Sequence, residues 1–183
     1  MKLGKLAGIA TLVFFAGSAS STTVVNMGLT DKEVMNAQQG WCNALLEISK
    51  THEQKGEKAA KKLASDIIDS AYGYQMGAVL FKPTLTMVPQ TFRPTSDGAL
   101  SYFVGQDKNF PNDKGFALMG WQNCEVENNA VFISGDSAKT IGKVHFTAKD
   151  GSVTSVDKTW GFVKDDAGNA RIVLHHSSLE HNG

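Results

Sequence analysis

The sequence predicts a single α+β domain in which N-terminal helices pack on a curved antiparallel sheet. Three observations predict this class. Apolar residues repeat with helical spacing in the first half of the chain, the second half reads as long strands from Phe116 onward, and turn-forming residues separate those strands. Because the helices come first and the strands last, we expect the sheet to curl around the helices and to leave a conical pocket where a ligand can sit.

Two amphipathic helices are predicted before residue 75. Thr30, followed three residues later by Glu33, is a capping-box pattern that begins the first helix. We expect this helix to end at about Thr51 and a polar break to occupy residues 52–56. A second apolar stripe then predicts a helix that ends near Gly73.

The remaining elements are a short strand, a short helix and a strand meander. The strand at residues 79–81 stops at Pro83, and the helix at residues 96–104 has Ser96 or Asp97 as its predicted cap. Five further strands are predicted at residues 116–126, 130–134, 138–148, 152–164 and 170–178. Strong turn patterns separate the last three strands, and a weaker one lies at residues 127–129.

Length and charge limit the classes of protein to consider. A chain of 183 residues normally forms one domain with a substantial core. Its 18 Lys and Arg residues balance 18 Asp and Glu residues, and the basic residues do not gather into a stripe. This pattern argues against a nucleic-acid partner.

The first twenty residues have the pattern of a secretory signal. Lys2 and Lys5 precede an apolar run at residues 6–16, and small residues follow at positions 17–20. The apolar run is too short for a membrane-spanning helix, which needs about 20 apolar residues. We therefore expect residues 1–20 to be a signal peptide, residues 21–183 to be one domain, and the mature protein to be periplasmic or secreted without a membrane attachment.

Cys42 and Cys124 are the two cysteines of the chain. An exported protein meets an oxidising compartment in which they could form a disulfide. They could equally be two buried thiols, since a free cysteine packs as a small apolar side chain. We expect Cys42 and Cys124 to be two buried thiols without a disulfide between them.

Polar residues at the end of the last predicted strand are the most unusual feature of the sequence. His175, His176, Ser177 and Ser178 follow an apolar run. Side chains alternate across a strand, so His175 shares a face with Ser177, and His176 shares the other face with Ser178. A single His and Ser pair can therefore line the pocket, and the alternative is a solvent-exposed strand end.

A histidine zinc site is not favoured by the spacing of the histidines. Catalytic zinc commonly takes three protein ligands that meet at one point. Adjacent strand histidines diverge, and the chain has no His-x-His or His-x-x-x-His spacing. We expect no cofactor, although zinc or another divalent cation stays open as an alternative.

Other motifs point to no further chemistry. The chain has neither a Gly-rich phosphate loop nor a Gly-x-Ser-x-Gly motif. Arg93 could hold an anion, but a surface arginine is the more common explanation. On pattern alone, Tyr102 and Phe103 in the short predicted helix are best explained as core residues.

Four segments taken together resemble the iota-class carbonic anhydrases. These segments are residues 79–84, 98–105, 113–118 and 175–179, and they occur in order at plausible spacing. This family belongs to the wider group related to the association domain of calcium/calmodulin-dependent kinase II. The resemblance implies a cone-shaped fold of the nuclear-transport-factor-2-like type, a homodimer, and the interconversion of carbon dioxide and bicarbonate.

The resemblance also implies site residues. In that family a Thr after Lys-Pro, a Tyr before Phe-Val-Gly, and a His and Ser of the terminal motif line the pocket. They correspond to Thr84, Tyr102, and either His175 with Ser177 or His176 with Ser178. We choose Thr84, Tyr102, His175 and Ser177 as catalytic residues, with Arg93, His176 and Ser178 as candidates for substrate binding and with no metal ligand.

Two other functions stay open on the sequence. The same fold serves non-catalytic binding or oligomerisation modules, because fold does not determine function. An isomerase or hydrolase for a larger apolar substrate is the third interpretation. A small polar cavity would favour carbon dioxide hydration, a wide apolar cavity the larger substrate, and a filled cavity the binding module.

The first testable prediction concerns export. N-terminal sequencing of the soluble protein from a periplasmic or culture fraction should begin near Ser20 to Thr22, because the small residues at positions 17–20 suit a signal peptidase. Soluble protein that still begins with Met1 would contradict it.

Overall fold

The computed structural model describes residues 28–181, which form helices packed on one five-stranded sheet. The α-helices are α1 (Asp31–Lys55), α2 (Glu57–Ala71) and α3 (Ser96–Val104), and a 3₁₀ helix occupies Phe116–Leu118. The strands are β1 (Leu80–Lys82), β2 (Asn123–Ser134), β3 (Ser137–Thr147), β4 (Val153–Lys164) and β5 (Ala170–Leu179). The predicted α+β class is confirmed, and the predicted signal peptide at residues 1–20 lies outside the described residues.

The sheet is an antiparallel meander with one added parallel strand. Its strand order is β1-β5-β4-β3-β2, with β1 parallel to β5 and the other neighbours antiparallel. One face is covered by the helices and carries the apolar core. Its large buried side chains include Phe146, Val156, Trp160, Phe162 and Ile172.

The helices begin for the reasons that the sequence suggests, but two of their bounds differ from the prediction. The Thr30 hydroxyl accepts from the Glu33 amide at 3.2 Å, and the Glu33 carboxylate accepts from the Thr30 amide at 2.8 Å. The predicted break at residues 52–56 is wrong, because α1 continues to Lys55 and only Gly56 separates it from α2. The cap of α3 is Thr95, whose hydroxyl accepts from the Gly98 amide, and neither Ser96 nor Asp97.

The prediction of two strands between residues 116 and 134 is also wrong. Phe116–Leu118 is a 3₁₀ helix, and β2 then runs without a break from Asn123 to Ser134. The weak turn pattern at residues 127–129 is a β-bulge within the strand, opposite Gly142. A Cβ atom at Gly142 would overlap the carbonyl oxygen of Glu127, so the bulge requires glycine at that position.

The expectation of two buried thiols is wrong. Cys42 on α1 and Cys124 on β2 form a disulfide with a Cα–Cα separation of 5.4 Å. Helical spacing places Cys42 on the buried face of α1, and alternation places Cys124 on the covered face of β2. Pairing of these positions depends on the helix–sheet packing, which no spacing in the sequence reveals.

No helix within residues 28–181 is both long enough and apolar enough to cross a bilayer.

The second testable prediction concerns the disulfide. Replacing both Cys42 and Cys124 by Ala should lower the free energy of unfolding by about 2–5 kcal/mol, because the bridge constrains a long loop in the unfolded chain. Urea titrations with and without a reductant would measure the loss. Reductant should weaken the natural protein and leave the double variant unchanged; equal stability of the two proteins without reductant would contradict the prediction.

Candidate active site

A pair of hydroxyl groups lies where β1 ends beside β5. Pro83 is buried and cannot donate to the sheet, so the chain leaves the strand there and Thr84 follows in a turn. The Thr84 hydroxyl donates to the Ser177 hydroxyl over 2.5 Å. Ser177 is 1% exposed, whereas Thr84 is half-buried, so the pair joins the interior to the protein surface.

Tyr102 adds a third hydroxyl to this pair from α3. Its ring stacks on Phe116 with centroids 5.5 Å apart and meets Phe81 edge-on at 5.7 Å. Burial raises the pKa of Tyr102, and its hydrogen bonding to Leu85 and Thr84 offsets only part of that rise. The phenol therefore stays protonated at neutral pH and can donate a hydrogen bond.

His175 lies on the same face of β5 as Ser177 and is held by aromatic residues. Its Nδ1 is 2.8 Å from the hydroxyl of Tyr72, which accepts from the indole of Trp41 at 2.9 Å. Its ring stacks on Phe81 at 4.3 Å. Sequence analysis missed both residues: Trp41 fits the apolar stripe of the first predicted helix, and no pattern singles out Tyr72, which follows the last residue of α2.

Lys158 is a third residue that sequence analysis missed. It lies on β4 opposite Ser177, and its Nζ contacts Nε2 of His175. Trp160, on the same face of β4, has an indole Nε1–H without a hydrogen-bond partner among residues 28–181. A signal for Lys158 was present, since it interrupts an otherwise apolar alternating face at Val156, Trp160 and Phe162.

The structure does not bring Arg93, His176 or Ser178 to this cluster. His176 and Ser178 lie on the other face of β5, where His176 is exposed. Arg93 is 2% exposed, and its guanidinium donates to both oxygens of Asp113, at 2.6 and 3.2 Å. It also donates to the backbone carbonyls of Gln90 and Phe92. These bonds give Arg93 a role in holding the loops before and after α3 together.

The side chains around the cluster do not form an evident metal centre. Within the described part of the chain, no group of three or more His, Cys, Asp or Glu side chains is arranged to hold a metal ion. The interior instead offers three hydroxyl groups, one imidazole and one amine. Such a set can order a water molecule, donate to a growing oxyanion and accept a proton.

Two known proteins that are more than 50% identical to this chain are carbonic anhydrases. A metal-independent carbonic anhydrase from Nostoc sp. (strain PCC 7120) is 56% identical over 164 residues, which cover 90% of this chain and 80% of that protein. The crystal structure of a cyanobacterial iota-carbonic anhydrase complexed with bicarbonate matches with a TM-score of 0.87 and 54% identity. It covers 90% of this chain and 100% of the other.

A more distant structure shows the fold alone. A Xanthomonas campestris protein assigned to the calcium/calmodulin-dependent protein kinase II association domains is 20% identical, with a TM-score of 0.52. The match covers 91% of this chain and 99% of the other. The predicted nuclear-transport-factor-2-like fold is thus confirmed, with the iota-class structure as its strongest support.

The family itself is shown by a model that covers most of the domain. The model described as metal-independent carbonic anhydrase matches residues 32–179, which include every residue of the cluster described above. This match agrees with the expectation that the enzyme works without a cofactor. The resemblance predicted from the four sequence segments is confirmed, and the chain belongs to the metal-independent carbonic anhydrase family.

Proposed function

We propose that this chain interconverts carbon dioxide and bicarbonate at the hydroxyl cluster of Thr84, Tyr102 and Ser177. The observation that carries the proposal is the direct 2.5 Å hydrogen bond between Thr84 and Ser177 beside the buried phenol. The cluster is small and polar, which suits a small polar product. The bicarbonate bound in the cyanobacterial relative supports the same substrate and product here.

The mechanism that this geometry supports is positioning together with charge stabilisation. Thr and Ser hydroxyls do not ionise near neutral pH, and the raised pKa of Tyr102 keeps its phenol neutral. The three groups therefore act as hydrogen-bond partners and not as bases. They order the attacking water and donate to the carbon dioxide oxygens, on which negative charge grows.

The two alternative functions fit these observations less well. A non-catalytic binding module has no need of a buried hydroxyl cluster beside an imidazole, and family membership favours an enzyme. An isomerase or hydrolase for a larger apolar substrate would need a wide apolar cavity. The polar side chains of His175 and Ser177, near the C-terminal end of β5, favour the smaller substrate.

Export to the periplasm or to the medium is part of the proposal. The signal pattern at residues 1–20 supports it. The disulfide between Cys42 and Cys124 gives independent support, since such bonds persist in oxidising compartments and are rare in the cytosol.

A homodimer formed through the uncovered face of the sheet is also proposed. The helices cover the face that carries Trp160 and Phe162, and among residues 28–181 no helix covers the opposite face. That opposite face is partly apolar: Leu80 is 66% exposed and Ile141 is 52% exposed. A second copy of the chain would bury these side chains around a two-fold axis.

The third testable prediction concerns activity. In a stopped-flow carbon dioxide hydration assay, the mature protein should be active and should keep most of its activity after prolonged chelation. Replacing Ser177 by Ala or Tyr102 by Phe should lower turnover by a factor of about 10²–10³, because each change removes one charge-stabilising donor and little volume.

Ser178→Ala is the matched control, since it removes the same hydroxyl from the other face of β5. It should leave the rate unchanged. A greater loss in Ser178→Ala than in Ser177→Ala would show that the wrong face was chosen, and no hydration at all would favour the binding module.

The fourth testable prediction concerns the assembly. Light scattering at micromolar concentration should give about twice the mass of the mature chain, which is about 18 kDa from its length. Replacing Ile141 by Lys should shift the protein towards the monomer, because charge on an apolar interface is costly to bury. A natural protein that scatters as a monomer would refute the dimer.

A further inference from the structure

Lys158 lies inside the cone with an unusual set of neighbours. The residue is 4% exposed, although lysine is almost never fully buried without a charged partner. Its Nζ contacts Nε2 of His175 and lies 4.5 Å from the ring centre of Trp41 and 5.2 Å from that of Trp160. None of the ion pairs among residues 28–181 includes it.

This environment disfavours a positive charge on either nitrogen before the reaction. Burial lowers the pKa of the Lys158 amine well below its usual range. Burial, and then the nearby Lys158 and His176, lower the pKa of His175. Among residues 28–181, Tyr72 is the other titratable group in contact with the pair, and burial raises its pKa, so its phenol is neutral. Both shifts favour the neutral form, so the interior holds two nitrogen bases side by side whose protonation is disfavoured by burial.

The proposed reaction needs such a base. Adding water to carbon dioxide produces bicarbonate and releases one proton, and the three hydroxyls of the cluster do not supply a group that can take it. Lys158 lies opposite Ser177 on the neighbouring strand, and His175 lies two residues from Ser177 on the same face. The two nitrogen bases therefore border the hydroxyl cluster.

We propose that Lys158 acts with His175 as the pair that accepts the proton released when water adds to carbon dioxide. The inference rests on the function proposed above. In this step the water oxygen forms a bond to carbon, one C=O electron pair moves onto oxygen, and one O–H bond of the water breaks. The proton binds the lone pair of Lys158 Nζ, which donates a hydrogen bond to Nε2 of His175, so bicarbonate and one shared cation are formed.

Tyr72 is a positioning residue in this arrangement. For the lone pair of Lys158 to be free, His175 must carry its ring proton on Nδ1 and accept at Nε2. The Tyr72 oxygen, 2.8 Å from Nδ1, can accept that proton in addition to the indole N–H of Trp41. The position of the Tyr72 oxygen is thus compatible with the tautomer that leaves the lone pair of Lys158 available.

Formation of a cation at this place is favoured only when the product anion is present. Carbon dioxide and water are neutral, and so is the pair that meets them. After the reaction the shared cation and bicarbonate attract each other across a water-poor interior, where charges interact more strongly than in water. The faces of Trp41 and Trp160 stabilise the cation further.

The fifth testable prediction is that Lys158→Met loses proton transfer without losing its fold. Methionine has a similar length and suits a buried site. Turnover in the stopped-flow assay should fall by a factor of about 10² or more, the usual contribution of a positioned base. Added imidazole should restore part of the rate, since a small soluble base can replace the missing amine. Lys61→Met, at an exposed position on α2, is the matched control and should behave as the natural protein.

Two further measurements separate a chemical role from a structural one. Lys158→Arg keeps a cation but supplies no base, so it should be as slow as Lys158→Met. In the natural protein the base must be unprotonated, so hydration should be constant through neutral pH and should fall only on the acid side, as the pair takes up a proton. In Lys158→Met the hydration rate should no longer fall on the acid side.

The outcomes that overturn the inference are distinct from failure of the proposed function. A Lys158→Met variant that works within twofold of the natural rate would overturn it, as would a folded but slow variant that imidazole does not rescue and whose pH profile is unchanged. Should both variants fail to fold, a natural rate that rises through the usual range of a free lysine would overturn it instead. A natural protein without any hydration activity would refute the proposed function itself.

Discussion

The position of β5 between β1 and β4 is the constraint on which the site depends. On one side, the parallel pairing with β1 ends at a buried proline and brings Thr84 to Ser177. On the other side, the antiparallel pairing with β4 places Lys158 opposite Ser177 and Trp160 opposite His175. Because side chains alternate along a strand, all of these inward groups come from a single register. A slip of one residue would replace His175 and Ser177 by their outward neighbours.

The helices complete the site by closing the cone over these inward groups. Trp41 and Cys42 are consecutive on α1, and both are buried. Trp41 reaches the Tyr72 hydroxyl and the Lys158 amine, whereas Cys42 bonds α1 covalently to Cys124 on β2. The disulfide therefore fixes the element that carries Trp41, and so ties the hydrogen-bond chain behind His175 to the far edge of the sheet.

Pairing and burial both limit the charge in the interior of the cone. The buried carboxylate nearest to α3, that of Asp113, is taken up by Arg93 and by the Ser101 hydroxyl at 2.8 Å. It is therefore paired and does not act as a counterion for Lys158. Burial of the Lys158 amine favours loss of its proton, because desolvation penalises the charged form. A neutral site is well matched to a neutral substrate that becomes an anion.

The sequence by itself determined that helices precede the sheet, the α+β class and the division of β5 into two faces, because helical and strand periodicities are local properties of the chain. It also indicated Thr84, Tyr102, His175 and Ser177 as a set, although only through their likeness to a known family. The sequence did not predict that β2 continues through residues 127–129. The β-bulge at this place depends on the close approach of Gly142 from the neighbouring strand.

Only the tertiary structure decided which distant residues meet. The ion pair of Arg93 with Asp113, the disulfide of Cys42 with Cys124, and the contact of Lys158 with His175 each join residues 17 or more positions apart. Alternation along β4 indicates that Lys158 points inward, but it does not indicate whether its amine contacts a carboxylate or an imidazole. That choice depends on strand order and helix packing, which arise from the burial of apolar surface over the whole chain and not from any local pattern.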